Sequence, residues 1–190
     1  MYRIGIFASG EGTNAQRFMD YFKGSKNIAI SLVITNNAKA KVIERAKKAN
    51  IPVMVIDRAT FYNTDKVVEE LKKKVDFIVL AGFMWMVPEN LIKAFHDKMV
   101  NVHPALLPSY GGKGMYGMHV HEAVIANKEK KSGITIHFVN ENYDEGKIIF
   151  QHECVVDTSD DPESLAGKIH ELEYEYYPKT VEKLLLGNIS

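Results

Sequence analysis

The sequence predicts an α/β fold built on a mostly parallel, twisted sheet that ends in an antiparallel hairpin. Short apolar runs alternate with segments of helical periodicity along most of the chain, and this alternation is typical of parallel strands joined by right-handed crossover helices. Two further apolar runs, at residues 132–139 and 147–156, are separated by a short polar connection and predict the hairpin. A length of 190 residues is that of one domain, so we assign residues 1–190 to a single domain.

The composition is that of an ordinary globular protein without a charged binding face. Lys+Arg 24 balance Asp+Glu 24, so a broad cationic surface for nucleic acid or anionic lipid is not indicated. The single cysteine, Cys154, excludes an internal disulfide framework. No run approaches the roughly 20 apolar residues of a membrane span, and the chain opens on a strand rather than a signal sequence. We therefore expect a cytoplasmic protein.

The first strand, predicted at residues 2–8, runs into a turn with two glycines. We call residues 9–14, which read SGEGTN, the glycine turn. The helix that follows has its inward positions at Ala15, Phe18, Met19 and Phe22. Its first turn leaves N–H groups unpaired and directs the positive end of the helix dipole at the glycine turn, where a phosphate would fit. Thr13 and Asn14 could add donors or simply cap the helix.

Further strands and helices complete the parallel part of the predicted sheet. The strands are predicted at residues 28–35, 51–56 and 76–81, and the helices at residues 38–49 and 64–74. The run at 76–81 is apolar throughout, as expected of a central strand in a parallel sheet.

Four large apolar residues connect that strand to the helix that Pro88 opens. They are Met84, Trp85, Met86 and Val87, and we call them the apolar link. Loops normally face water, so such residues either plug the core or line a pocket for a flat ligand. Methionine and aromatic side chains are mostly packing residues, which by itself favours the core.

The fifth strand ends in Asn101 and His103, whose side chains share one face because they lie two residues apart. Pro104 then ends the ladder. An amide and an imidazole would lie side by side at the carboxyl edge of the sheet, where open α/β sheets bind their ligands. Such a pair suits chemistry at a carbonyl carbon, although a histidine before a proline is by itself more often a structural group.

Other candidate residues occur in the C-terminal half. Asp144 lies in the hairpin connection, where an aspartate near a glycine is usually a turn former. His137 projects from the first hairpin strand and is interpreted as structural. His119 and His121 do not share one helical face, so no metal site is predicted. A last helix starts at residues 161–163, and Pro178 should bend or interrupt it. Its predicted inward stripe is Leu165, Ile169, Leu172 and Tyr176, with Glu173 at the margin of the buried face.

Several motifs follow one another in a specific order. They are SGEGTN at 9–14, LAGFM at 80–84, NVHPALLP at 101–108, HVH at 119–121, HFV at 137–139 with DEG at 144–146, and Glu173 followed by Tyr177-Pro178. Each motif is weak alone, but their order and spacing over nearly the whole chain resemble the glycinamide ribonucleotide formyltransferase family, folate-dependent enzymes of purine biosynthesis.

The resemblance implies a Rossmann-like formyltransferase fold with helices on both faces of the sheet. It implies transfer of the formyl group of 10-formyltetrahydrofolate, a cosubstrate, to the amino group of 5-phosphoribosylglycinamide, with no metal because the donor is already activated. It assigns catalysis to Asn101, His103 and Asp144, which we call the polar trio. It assigns binding of the glycinamide ribonucleotide to Gly12, Thr13, Asn14 and Glu173. It assigns binding of the folate to Met84, Trp85, Met86, Val87, Asn101 and Asp144. On this interpretation at least part of the apolar link lines a pocket instead of packing in the core.

These roles agree with the chemistry of formyl transfer. As the amine attacks, the formyl oxygen gains negative charge, which the Asn101 N–H and a protonated His103 would stabilise. Asp144 should favour the imidazolium and help to move protons from the amine to the departing folate nitrogen.

Two segments depart from the family pattern. Many relatives carry an arginine just before the third predicted helix, but residues 61–64 read FYNT here. The loop at residues 110–118 is also longer than in many relatives.

Two alternatives remain open: a formyltransferase acting on another amine, such as an amino-sugar nucleotide, and a non-catalytic nucleotide-binding module. Length argues against methionyl-tRNA formyltransferase and formyltetrahydrofolate hydrolase, which carry an extra domain, and the neutral charge argues against tRNA. We expect small-molecule substrates and a monomer or homodimer.

Overall fold

The computed structural model describes residues 1–189 and contains two compact units. The first unit is Met1–Val100 and the second starts at Asn101. The strands are β1 (Tyr2–Phe7), β2 (Ile28–Thr35), β3 (Val53–Val55), β4 (Phe77–Leu80), β5 (Met99–His103), β6 (Lys131–Phe138) and β7 (Ile148–Val155). The helices are α1 (Thr13–Tyr21), α2 (Val42–Lys48), α3 (Arg58–Asn63), α4 (Lys66–Lys74), α5 (Glu89–Ala94), α6 (Met118–Ala126) and α7 (Pro162–Leu185).

The first unit is organised around parallel strands in the order β3-β2-β1-β4. The pairs β1–β2, β1–β4 and β2–β3 are all parallel. Ile4, Ile6 and Phe7 of β1 are fully buried, and each such side chain contributes about 1.5–3 kcal/mol by leaving water. The predicted parallel part of the sheet is confirmed.

The second unit has the strand order β5-β6-β7, in which β6 and β7 form an antiparallel pair. The predicted C-terminal hairpin is therefore confirmed. Its core contains Ile134 and Ile136 of β6 and Tyr177 of α7, all fully buried.

Helix α3 was not among the predicted elements. Asp57 caps it, because the Asp57 side chain accepts a hydrogen bond from the N–H of Thr60 at 2.9 Å. Its six residues bury only Phe61, which gives too little periodicity to recognise. Helix α2 also starts later than predicted, at Val42 rather than residue 38.

The buried stripe of α7 differs from the predicted one. Glu173 and Tyr177 are buried, whereas Leu172 and Tyr176 are only partly covered. The buried stripe includes the carboxylate of Glu173. The prediction from apolar periodicity therefore selected the neighbouring positions Leu172 and Tyr176. The helix continues past Pro178 to Leu185 without interruption. Within residues 1–189, no helix is both long and apolar enough to cross a membrane.

Candidate active site

His103 and Asp144 of the polar trio lie against each other in the second unit. His103 ends β5 and is 3% exposed, and its Nδ1 is 3.5 Å from Oδ2 of Asp144. Asp144 has a φ of 57° in the connection between β6 and β7. A Cβ at Gly146 would lie 1.7 Å from the carbonyl oxygen of Phe138, so only glycine allows the connection to fold this tightly against β6. The tight connection thus carries the carboxylate to the imidazole.

Asn101 joins the same group through His137, which sequence analysis interpreted as structural only. Nδ1 of His137 is 2.8 Å from the carbonyl oxygen of Phe138. A carbonyl can only accept, so Nδ1 carries the proton. In the neutral ring, Nε2 then accepts from Nδ2 of Asn101 at 3.4 Å, and it lies 3.6 Å from Oδ1 of Asp144. The available signal was a histidine near the carboxyl end of a largely buried strand.

The electrostatics of the pair differ from the expected imidazolium. Burial lowers the pKa of His103 below 6.5, and it outweighs Asp144 and the carbonyl of Tyr110, which both raise this pKa. Burial would raise the pKa of Asp144, but the rings of His137 and His103 and the N–H of Gly112 together lower it. At neutral pH a neutral imidazole therefore faces a carboxylate, because the ring has almost no contact with water.

Glu173, predicted to contact substrate, lies on α7 and is 6% exposed. It is therefore more deeply buried than a residue at the margin of a helix face. Burial and the neighbouring Glu173 both raise the pKa of Tyr177. A carboxylate this deeply buried needs a partner group or a ligand to stabilise its charge.

The glycine turn of the first unit leads directly into the start of α1, the position predicted to bind a phosphate. Gly12 is the N-cap of α1 with a φ of 70°, and a Cβ there would lie 2.5 Å from Cβ of Val42. The first intrahelical bond is donated by the N–H of Gln16 to the oxygen of Gly12, and no N-cap side chain caps the helix. The carboxylate of Glu11, the residue before Gly12, forms an ion pair with Nζ of Lys41 at 2.8 Å.

The apolar link is tied directly to the glycine turn within the first unit. The N–H of Met84 donates to Oγ of Ser9 at 2.9 Å, and the N–H of Ser9 donates to the oxygen of Gly82 at 3.0 Å. Met84 is 54% and Met86 42% exposed, whereas Val87 is buried. The link therefore divides: Val87 belongs to the core, and the two methionines face outward.

Arg58, which the sequence patterns did not indicate as a site residue, lies beside the apolar link. Cζ of Arg58 lies 5.4 Å from the ring centroid of Tyr62 and 5.8 Å from that of Trp85. The hydroxyl of Tyr62 donates to the carbonyl of Met86 at 2.9 Å. An open, shallow surface depression is lined by Arg58, Ala59, Tyr62 and Asn63. The signal was an arginine and a tyrosine four residues apart, directly after the capping residue Asp57.

The Formyl transferase family model matches residues 2–181. This chain belongs to the formyl transferase family. The match includes every residue of the polar trio, the glycine turn and the apolar link. Among residues 1–189, no group of three or more His, Cys, Asp or Glu side chains is arranged to hold a metal ion.

Relatives of this formyl transferase family member extend over almost the whole chain. The chain is 39% identical over 186 residues to the chloroplastic phosphoribosylglycinamide formyltransferase of Arabidopsis thaliana, covering 94% of this chain and 64% of that protein. It is 32% identical to the phosphoribosylglycinamide formyltransferase of Bacillus subtilis, covering 97% of this chain and 95% of that protein. The chain thus spans less than two thirds of the plant relative and nearly all of the bacterial one.

A solved structure confirms the predicted formyltransferase fold. The crystal structure of phosphoribosylglycinamide formyltransferase from Bacillus halodurans has a TM-score of 0.86 and 39% sequence identity, and the match covers 96% of this chain and 95% of that one. The roles of individual residues stay predictions.

Proposed function

We propose that this chain transfers the formyl group of 10-formyltetrahydrofolate to the amino group of 5-phosphoribosylglycinamide in de novo purine biosynthesis, with residues 1–190 acting as one domain. The observation that carries the proposal is the packing of His103 against Asp144, with Asn101 hydrogen-bonded to His137, whose ring lies beside the same carboxylate. An amide donor, a base and a carboxylate are the groups that this reaction needs at one carbonyl carbon.

Asn101 supplies the first catalytic contact. One N–H of its amide bonds to His137, which orients the group and leaves the second N–H for the formyl oxygen. That oxygen becomes negative when the amine adds to the formyl carbon, so the hydrogen bond strengthens in the transition state. His137 is thus a positioning residue for Asn101.

His103 moves the proton. Nδ1 of the neutral ring accepts a proton from the attacking amine, directly or through water, and Asp144 at 3.5 Å stabilises the imidazolium that forms. The bond between the formyl carbon and the folate nitrogen then breaks, and the same proton passes to that nitrogen. The products are the formylated amine and tetrahydrofolate, and His103 returns to its neutral state.

The two substrates use different parts of the chain. Gly12, Thr13 and Asn14 present the N–H groups at the start of α1 to the phosphate, because the helix start carries partial positive charge. Glu173 accepts hydrogen bonds from the ribosyl-glycinamide part. The backbone of residues 84–87 reads the pterin edge, and Met84 and Met86, both exposed, cover its ring.

Arg58 takes the place of the arginine that the family pattern has just before the third predicted helix. The carboxylates of the folate tail need a cation, and a guanidinium stacked on Tyr62 and Trp85 is already oriented. A cytoplasmic location and the choice between monomer and homodimer stay predictions from the sequence.

The test is a formyl-transfer assay on the purified full chain. It compares glycinamide ribonucleotide, an amino-sugar nucleotide and water as acceptors, and follows both tetrahydrofolate and the formylated amine. We expect turnover with glycinamide ribonucleotide at least about 10²-fold above water, because a bound amine is held in position at the formyl carbon whereas water is not.

Each other outcome contradicts the proposal in a defined way. Equal turnover with water indicates a hydrolase, preference for the sugar nucleotide indicates another acceptor, and nucleotide binding without turnover indicates a binding module. The Asp144→Asn variant is the control for contaminating activity, since it keeps the side-chain size and should lose most of the turnover.

A further inference from the structure

We propose that Tyr110 is a positioning residue for His103: its carbonyl holds the imidazole in one tautomer, and its side chain anchors that carbonyl to the end of α6. The kinetic consequence rests on the proposed function, whereas the tautomer does not depend on it.

The tautomer follows from one contact. Nε2 of His103 lies 2.7 Å from the carbonyl oxygen of Tyr110. A carbonyl oxygen has no proton to donate, so Nε2 must carry the hydrogen. The unprotonated nitrogen of the neutral ring is then Nδ1, which faces Asp144. Tyr110 therefore decides which ring nitrogen can act as a base.

The backbone around Tyr110 is unusual and tightly placed. Tyr110 has a φ of 58°, a left-handed conformation that is unfavourable for a non-glycine residue. Two residues later, the N–H of Gly112 donates to Oδ2 of Asp144 at 3.0 Å. A Cβ at Gly111 would lie 2.5 Å from Cδ2 of Leu107. Residues 110–112, which we call the clamp, thus bond to both His103 and Asp144.

The side chain of Tyr110 holds this strained backbone in place through its hydroxyl. Its hydroxyl donates to Oε1 of Glu129 at 2.7 Å and accepts from Nδ2 of Asn127 at 2.9 Å. Both partners lie just after α6 and are bonded to it, the N–H of Asn127 to the oxygen of Ala123 and the N–H of Glu129 to the oxygen of Val124. The hydroxyl therefore ties the clamp to a regular helix.

The test compares Tyr110→Phe with a matched control, Tyr116→Phe. Tyr116 lies in the same loop and its ring contacts His119, so its variant also removes one hydroxyl but leaves the clamp intact. The first readout is ¹⁵N NMR of the His103 ring during a pH titration, and the second is the separation of kcat from KM. Asp144, His137 and His121 also face or act on this ring, and all three stay unchanged in both variants.

We expect wild type to show the Nε2–H tautomer and Tyr110→Phe to show a mixture, with a lower His103 pKa because the carbonyl contact is loosened. The variant's kcat should fall about 10-fold with both KM values within about 2-fold, since the group is displaced rather than removed. Glu129→Gln keeps an acceptor oxygen and should retain most of the activity. Tyr116→Phe should behave as wild type in both readouts.

A single Nε2–H tautomer and wild-type turnover in Tyr110→Phe would overturn the proposal. In an active protein, a mixed tautomer with wild-type turnover also overturns the proposal, and so does reduced turnover with a single Nε2–H tautomer. The reason is that the tautomer and the turnover must change together. A thermal melt of each variant separates these results from general unfolding. If wild type transfers no formyl group at all, the proposed function falls, and the NMR readout still decides whether the clamp sets the tautomer.

Discussion

The glycine turn of the first unit and the polar trio of the second differ in how the chain builds them. The turn is made of consecutive residues, and its geometry follows from the left-handed φ of Gly12 and the close approach of Val42. The groups around His103 come from the end of β5, the clamp, the end of β6 and the hairpin connection. The proposed anion cradle is therefore local, whereas the proposed acid–base group requires contacts distant in the sequence.

The two regions also differ in their response to pH. The proposed cradle consists of backbone N–H groups, which do not titrate near neutral pH. The trio contains a histidine whose pKa is lowered by burial and a carboxylate whose pKa is lowered by its partners. We therefore expect substitutions in the turn to change binding and substitutions in the trio to change turnover and its pH dependence.

The largest expected effect is that of His103→Ala. Turnover should fall by about 10² or more, because a positioned acid–base group is removed from an otherwise intact site. The control is His96→Ala, which changes the exposed histidine of the first unit. Steady-state kinetics with both substrates checks the prediction, and unchanged kcat in His103→Ala would place the chemistry elsewhere.

The second effect concerns the pH dependence of stability. Burial, together with His170 and His103, lowers the pKa of His121 from 6.5 to about 4. The unfolded chain binds the proton more tightly than the folded chain does. The contribution of neutral, buried His121 to the free energy of unfolding is therefore complete above pH 6.5 and is lost as the pH falls towards 4. This loss amounts to about 3 kcal/mol over that window.

Urea unfolding of wild type and His121→Gln at a series of pH values measures this contribution. The variant should lose part of the slope of unfolding free energy against pH between these limits. An identical slope in the two proteins would show that another group titrates there. Since the only histidine of the first unit, His96, is exposed, we expect the histidine-dependent slope to arise in the second unit.

A third, smaller effect is expected for Asn14→Ala in the glycine turn. The KM for the phosphorylated amine should rise about 10-fold with kcat unchanged, the size of one hydrogen bond to a charged group. Gln16→Ala is the matched control, because Gln16 lies two residues further along α1 and its side chain donates to Asp20 at 2.9 Å. A change confined to the folate KM would show that the two binding regions are exchanged.

The smallest effect is expected for Arg58→Met. The KM for 10-formyltetrahydrofolate should rise about 3-fold to 5-fold, because a largely solvated guanidinium contributes at most about 1 kcal/mol to an ion pair. Lys72→Met removes a surface charge from α4 of the same unit and should leave this KM unchanged. Equal effects of the two variants would mean that only net charge matters and that Arg58 makes no direct contact.

Sequence patterns predicted the parallel strands, the hairpin and most helices, because apolar periodicity reports which face of each element is buried. They failed where that signal is short or interrupted. Helix α3 offers one capped turn. In α7 the buried stripe runs through Glu173, so Tyr176 was selected in place of Tyr177.

The sequence by itself determined the order of the elements, the family to which their motifs belong, and the residue types at each strand end. Only the tertiary structure decided that His137 bonds to Asn101, that Arg58 lies against Trp85, and that burial keeps His103 neutral despite Asp144. The physical reason is that periodicity is a property of neighbours in the chain. Desolvation and hydrogen bonding instead depend on residues that folding brings together from distant positions.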